Sequence, residues 1–444
     1  MKNRRIRLKW IIILVLLLFI VTGGSLLLML YLTFGDQFTR PENISSLYSN
    51  LKLDSSDDEE NNVKTFDSTF LKSIMPDSDT AIKIIRLSSD PGYKPEIEFD
   101  DKAGKYVRKV YNGKRINIAI TGVDSRLGQR FKHADANHVI SILADSGKIE
   151  IISIPRDTYA DAGFDDTTGF NKLTTMRAKG RNAYLNEVAS IAGLDKIHYF
   201  GEFGFSQAMG IIEWFGHDKP KSTLKILRSR QALGGDDYQR VYNQAQFMRQ
   251  MILNNFSKLN GIAGEVIIRG ALSMIESNMN TAKFKEVLKI LKSSGFSGNP
   301  EDISIKIRPS FPIEFKVYDF TDPLTLLHLT SKIDAAHSKS KKDTSHSNQD
   351  KDPEYIYKVL KQRIHKIVGD TIKNPSQVIN NLKIYFEQKA WFQIEDSTDR
   401  HEIRTVISDN LQTAYKMMKD SASAMDIKNI IKNEDDLFKL KNNQ

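Results

Sequence analysis

Four short polar clusters stand where strand-like runs of the chain end. Gly122-Val123-Asp124-Ser125-Arg126 follows the run Ile116 to Thr121, and Asp135 shortly precedes the run His138 to Ala144. Ser153-Ile154-Pro155-Arg156-Asp157 closes the run Lys148 to Ile154. Arg228-Ser229-Arg230 is followed by Asp237, Arg240 and Gln244, which fall at i, i+3 and i+7 on one helical face. Guanidinium groups stay charged and match phosphate oxygens bidentately, so these arginines suit a bound diphosphate. Carboxylates such as Asp124 and Asp135 suit instead a divalent ion that bridges phosphate oxygens and offsets developing charge. Each cluster alone has a plain reading: a capped turn, a loop ion pair, a surface Arg-Ser-Arg. Short motifs carry that risk of coincidence, and the weight lies in their order and spacing together.

The elements that must position these groups alternate. Asp145-Ser146-Gly147 is a turn between two of the strand-like runs. Leu185 to Ala192 has helical spacing, Ile197 to Phe200 reads as a strand, and Phe205 to Phe215 is helical with Met209, Ile212 and Phe215 on one face. Gln239 to Leu259 and Thr281 to Lys292 read as helices, the second opened by an Asn280-Thr281 cap. Ile303 to Ile307 and Ile313 to Tyr318 read as a closing strand pair. Strands alternating with helices predict an α/β fold, a central mixed β-sheet flanked by helices, in which polar groups at strand ends face ligands.

The N-terminus adds topology. Lys2, Arg4, Arg5, Arg7 and Lys9 precede a nearly unbroken apolar run from Trp10 to Phe34. A membrane-crossing helix needs roughly 20 apolar residues, and a basic flank stays cytoplasmic. A cleaved signal peptide has a shorter apolar stretch and a small-residue cleavage site, which Leu26 to Phe34 lacks. Residues 1–35 are therefore expected to be a cytoplasmic basic cluster and single transmembrane anchor. The C-terminal domain would then lie extracytoplasmically. Residues 36–62 form a polar, acidic spacer, and residues 63–112 an accessory region with a turn at Asp90-Pro91-Gly92. Residues 113–320 form the α/β domain. A linker at 330–353, rich in Ser, Lys and Asp, leads to a mostly helical extension at 354–444. There Tyr355, Val359, Ile364 and Ile367, then Ile403, Val406, Ile407 and Leu411, recur at near-helical spacing.

The chain has no cysteine, which excludes disulfides, thiolate metal sites and a Cys nucleophile. Its net charge of +9 comes partly from the anchor cluster and otherwise from dispersed Lys and Arg. No zinc-finger spacing or heptad-linked basic region accompanies it, so nucleic acid is not expected as a partner. Outside a cell such a surface suits anionic lipid or wall polymer.

The ordered combination resembles the LytR–CpsA–Psr family of cell-envelope glycopolymer attachment proteins. The matching segments are INIAITGVDSR (116–126), HADANHVISI (133–142), KIEIISIPRDTY (148–159), LDKIHYFGEFGFSQAMGIIEWFG (194–216), LKILRSR (224–230) and DYQRVYNQ (237–244). SIPRD at 153–157 is the most specific of these, and the likeness spans about residues 113–320.

The resemblance implies a phosphotransferase that moves a glycopolymer from a polyprenyl-diphosphate carrier onto peptidoglycan, releasing polyprenyl phosphate with Mg²⁺ or Mn²⁺ assisting. It implies Asp124, Asp135, Arg156 and Asp157 as catalytic residues, Asp124 and Asp135 also serving the metal. Arg126, Arg156, Arg228, Arg230, Arg240 and Gln244 would grip the diphosphate. Phe200, Phe203, Phe205 and Met209 would border the lipid tail, although plain core packing explains such residues as well. Two positions depart from the family pattern: His133 stands where an Arg is usual, and Asn243 replaces the second Arg of the D-x-x-R-x-x-R-Q stretch. The loop before Arg228 is also shortened. These departures keep two alternatives open, a non-catalytic binder of polyprenyl phosphate or wall glycan, and a pyrophosphohydrolase on the same substrate. A transcriptional regulator is disfavoured by the anchor, which would hold the domain across the membrane from DNA.

Overall fold

The computed structural model describes residues 111–129, 133–230, 233, 236–310, 313–340, 354–369 and 373–442, together with three short strands before them. The expected anchor at 10–34, the spacer at 36–62 and the turn at 90–92 lie outside the described residues. Among the described residues no helix is long and apolar enough to cross a membrane.

The early strands β1 (Lys83–Arg86), β2 (Ile97–Asp100) and β3 (Lys105–Arg108) precede the main sheet. Its strands are β4 (Arg115–Asp124), β5 (His133–Leu143), β6 (Lys148–Ile154), β7 (Tyr199–Phe203), β8 (Glu276–Ser277) and β9 (Ile303–Ile307). They form one six-stranded sheet in the order β8-β7-β4-β5-β6-β9. It is mixed, as expected: β4–β5–β6 run antiparallel, while β4–β7 and β6–β9 are parallel. β10 (Glu314–Val317) does not pair with β9. It pairs antiparallel with β1, so part of the accessory region is tied to the end of the α/β domain.

β-Branched residues fill the central strands because both sheet faces are covered, which favours near-continuous apolar runs. Ile151 enters a core with Val241, Tyr242 and Ala245 of α4 (Asp237–Asn255), on the side also packed by α6 (Thr281–Ser293). Its neighbour Ile152 points the other way, into a core with Tyr184 and Val188 of α1 (Arg181–Ala192). This is strand alternation set to work on both faces. Three further helices, α2 (Phe205–Trp214), α3 (Pro220–Arg228) and α5 (Gly261–Met274), contribute to two other cores. Helix α7 (Pro323–Ser340) extends into the segment whose composition suggested a linker, because Leu329 and Ile333 are buried against the α3 side.

The C-terminal extension is helical, as expected: α8 (Tyr355–Val368), α9 (Pro375–Glu387), α10 (Ser397–Met417) and α11 (Ser421–Asn442). Ile403, Ile407 and Leu411 share one core with Trp391, and that core also takes in Met209, Ile267 and Met274 from α2 and α5. The extension therefore shares a core with the α/β domain. Arg400 Nη1 pairs with Glu213 at 2.8 Å across the junction, and α5 and α11 meet where Gly270 lies against Leu437.

Candidate functional site

The three strands β4, β5 and β6 bring their polar clusters to one end of the sheet. Pairing places Asp124 opposite His133 and Asn137 opposite Ile154. The β4–β5 register shifts at Gly122/Val123: Gly122 faces Ala136, Val123 faces Ala134, and Asp135 is the extra residue between them. A bulge of this kind re-aims a side chain. Here the Asp135 Oδ1 accepts from Arg156 Nη1 at 2.7 Å.

Helix α4 supplies the other wall. Asp236 caps it, its side chain accepting from the backbone N–H groups of Tyr238 and Gln239. Asp237 therefore begins the helix at the site. Its Oδ2 accepts from the Arg156 backbone N–H at 3.0 Å. Its Oδ1 lies 2.6 Å from Arg240 Nη2 and 3.2 Å from Arg230 Nε. Asp157 completes the ring, 3.5 Å from Arg230, 3.8 Å from Arg156 and 3.4 Å from Lys172. Residues from distant stretches of the chain thus form one network of Asp135, Arg156, Asp157, Arg230, Asp237 and Arg240.

That network is not saturated. Arg156 Nε, Arg230 Nη2 and Arg240 Nε are buried and make no hydrogen bond. Unmet buried donors carry a desolvation cost, about 1–3 kcal/mol each. Their grouping on three neighbouring arginines fits an anion with several acceptor oxygens. The charges point the same way. Burial pushes the Arg240 pKa down to about 10; Asp237 opposes this, while Arg230 and Arg156 reinforce it. Burial also pulls Arg156 down, but Asp135, Asp157 and Asp237 outweigh it and hold it above its ordinary value. The α4 N-terminus lies at the same place, where the helix dipole favours negative charge, although Asp236 already takes the N–H groups of Tyr238 and Gln239. The site is reachable, since the Arg156 and Arg230 side chains are about one-third exposed.

Other expected site residues have different surroundings. Arg228 lies over the Phe205 ring, its guanidinium carbon 3.8 Å from the centroid. Gln244 is engaged at both ends of its amide, donating to the Leu227 carbonyl at 2.9 Å and meeting His138 Nε2 at 3.0 Å. It braces α3 and α4 against β5. Asn243 is buried and accepts from Gln239 within α4, so this departure from the family pattern sits inside the helix packing. Arg126 is exposed on the loop after β4. Among the apolar candidates, Phe200 lies under Arg181 at 4.4 Å, Phe203 borders Gly122, and Met209 is core shared with the C-terminal helices. A cavity of about 510 Å³ lies away from the arginines, between the far ends of α3 and α4 and the start of α7.

Asp124 and Asp135 stand at the ends of adjacent strands, a donor set suited to Mg²⁺. That ion keeps several waters and takes one or two carboxylates plus substrate phosphate. Among the described residues no group of three or more His, Asp or Glu side chains could hold a metal unaided.

His138 escaped sequence reasoning. Buried beside the arginines, it bonds Ser153 on β6 at 2.8 Å as well as Gln244. Burial lowers its pKa to about 4, against the Gln244 hydrogen bond and with Arg240 adding to the fall. The unfolded chain takes up this proton near pH 6.5, before the folded one does. Stability from neutral His138 is thus whole above pH 6.5 and lost as pH falls from there toward 4, by up to about 3 kcal/mol. Urea unfolding at pH 7.5 and 4.5 should show His138→Gln losing less stability than wild type over that window; equal losses would remove His138 from the account. The available signal was a polar Asn137-His138 pair directly before the largely apolar stretch Val139 to Leu143.

Fold and site together define a class: an α/β protein with a mixed sheet and a cluster of paired arginines and aspartates at one end of it. Residues 89–213 match the model of the LytR_cpsA_psr family. No curated protein compared with the chain matches it. Solved structures similar to it include TagV of B. subtilis, at 18% identity over 51% of this chain and 98% of that one, TM-score 0.37. A LytR-Csp2A-Psr enzyme from Actinomyces oris follows at 15% identity, 49% and 89% coverage, TM-score 0.34. TagT bound to LIIa-WTA stands at 13% identity, 52% and 93% coverage, TM-score 0.32.

Proposed function

We propose that this protein is a membrane-anchored, extracytoplasmic phosphotransferase that moves a glycopolymer from a polyprenyl-diphosphate carrier onto peptidoglycan. The observation that carries the reading is the set of unmet donors on Arg156, Arg230 and Arg240, three arginines linked through ion pairs with Asp135, Asp157 and Asp237. A diphosphate supplies acceptor oxygens for all three. In the reaction a sugar hydroxyl of the acceptor attacks the phosphorus next to the glycan. The new O–P bond forms as the bond to the polyprenyl phosphate breaks, and that phosphate leaves with the electron pair. Arg156, Arg230 and Arg240 orient the diphosphate and stabilise the charge that grows on its oxygens, a role for fixed donors in a partly dry site. The hydroxyl proton passes to Asp124; among the described residues no ion pair ties this side chain into the arginine network. Asp124 and Asp135 would hold Mg²⁺ or Mn²⁺, which when bound would offset negative charge on the phosphate oxygens. Asp135, held by Arg156, keeps that arginine turned toward the substrate.

The N-terminal apolar run supports the membrane half of the proposal, since a lipid-linked substrate is met at a bilayer surface. Both halves are tested on the full chain in vesicles containing a polyprenyl-diphosphate oligosaccharide, with peptidoglycan fragments outside. The chain should stay with the vesicles through an alkaline wash, and mass spectrometry should find polyprenyl phosphate together with glycan-phosphate-modified peptidoglycan. Release without acceptor would mark a hydrolase. Tight binding without release under either metal would mark a binding protein, and loss from the vesicles would remove the anchor.

A further inference from the structure

We infer that Gln388, from the C-terminal extension, is a positioning residue for the loop that carries Arg126, so that the α/β domain's site is completed by the helices that follow it. The inference rests on the proposed function for its catalytic consequence, although the contact itself does not.

The loop Ser125 to Gln129 leaves β4 directly after Asp124. Its own backbone gives it little support: Ser125 N–H donates to the Val123 carbonyl, and Gln129 N–H to the Arg126 carbonyl. Further groups are met by one side chain 260 residues away. Gly128 N–H donates to Gln388 Oε1 at 2.9 Å. Gln388 Nε2 donates to the carbonyls of Arg126 at 3.1 Å and Gln129 at 3.0 Å. A carboxamide offers one acceptor oxygen and two N–H donors, and here its oxygen and its nitrogen both bind one loop.

Packing agrees with the hydrogen bonds. Leu127 lies against the core of the C-terminal helices. Gly128 has a φ of +76°, and a Cβ added there would come within 2.6 Å of the Tyr385 hydroxyl. Gln388 is itself rigidly placed. It ends α9, and the next residue, Lys389, is buried in the left-handed conformation with φ 53°. The same turn reaches the domain a second time, where Gln393 Nε2 donates to Ser206 Oγ at 2.8 Å at the start of α2. A fixed turn of the extension thus sets the path of the loop that leaves Asp124 and carries Arg126, and with it where those two side chains can meet a bound substrate.

The test uses the full chain with Gln388→Ala and Gln388→Glu. Glutamate keeps an acceptor for Gly128 N–H but loses the donors to Arg126 and Gln129. In Gln388→Ala, hydrogen exchange of the Gly128 amide should rise about tenfold, with β6 amides unchanged and the unfolding midpoint near wild type. KM for the lipid-linked diphosphate should rise about fivefold to tenfold, with kcat changed far less, and Gln388→Glu should fall between. Unchanged exchange at Gly128 would show that Gln388 does not hold the loop, whatever the protein's activity. Faster exchange with wild-type KM would overturn the link to the site. If wild type binds without turnover, its affinity for the lipid-linked diphosphate replaces KM, and equal affinities overturn the inference in the same way.

Discussion

Replacing Arg156 with alanine is expected to lower turnover of a polyprenyl-diphosphate oligosaccharide by about 10²–10³-fold, the usual cost of removing one preorganised donor from a developing anion. Arg156 is the hub of the network. Its backbone N–H is bound to Asp237, its Nη1 to Asp135, and its Nε makes no hydrogen bond. Arg156→Lys should recover little of the loss, because an ammonium is a point charge and cannot bind a carboxylate and a phosphate in one plane. The side chain is about one-third exposed, so the fold should tolerate both changes. Single-turnover assays with unfolding midpoints as control would check this. Wild-type turnover in Arg156→Ala would sink the site assignment, whereas a parallel collapse of the unfolding midpoint would assign Arg156 to structure.

The second large effect belongs to stability. Trp391→Ala should cost about 3–5 kcal/mol, the range for deleting a large buried aromatic side chain. Trp391 is fully buried, packs on Phe386 and Phe392 at 5.7 and 6.0 Å, and donates its indole N–H to Glu434 at 3.0 Å. Burial raises the Glu434 pKa; Lys389 and Arg404 oppose that, as does the Trp391 hydrogen bond. Alanine would thus leave both a void and a poorly compensated carboxylate. Trp391→Phe keeps much of the volume and loses chiefly the donor, so its cost should be smaller, about 1–3 kcal/mol. Guanidinium unfolding would measure both variants. A loss under about 1 kcal/mol for the alanine variant would show that the extension's core relaxes around the gap. The core formed around Trp391 includes Met209 and Met274, so Trp391→Ala is expected to loosen the α/β domain as well.

Much of the frame was legible because its signals are local. Lys148–Ile154 and Ile303–Ile307 are strands with the limits that their apolar runs suggest, and Asn280 caps α6 through Lys283 N–H. The ends of β7 and β10 shift by one to three residues, as neighbouring strands decide where pairing stops. The site was partly legible. Asp237, Arg240 and Gln244 do share one helical face, but only Asp237 and Arg240 belong to the arginine network. Gln244 is taken by His138, a partner 106 residues away.

By itself the sequence determined the alternation of strands and helices, the positions of the strand-end arginines and carboxylates, and the amphipathic C-terminal helices. Those depend on side-chain periodicity and turn chemistry within a few residues. Tertiary structure alone decided the bulge that turns Asp135 toward Arg156, the pairing of β1 with β10 and the hold of Gln388 on the Arg126 loop. Each depends on contacts between stretches far apart in the chain, settled by strand register and packing, which no local pattern records.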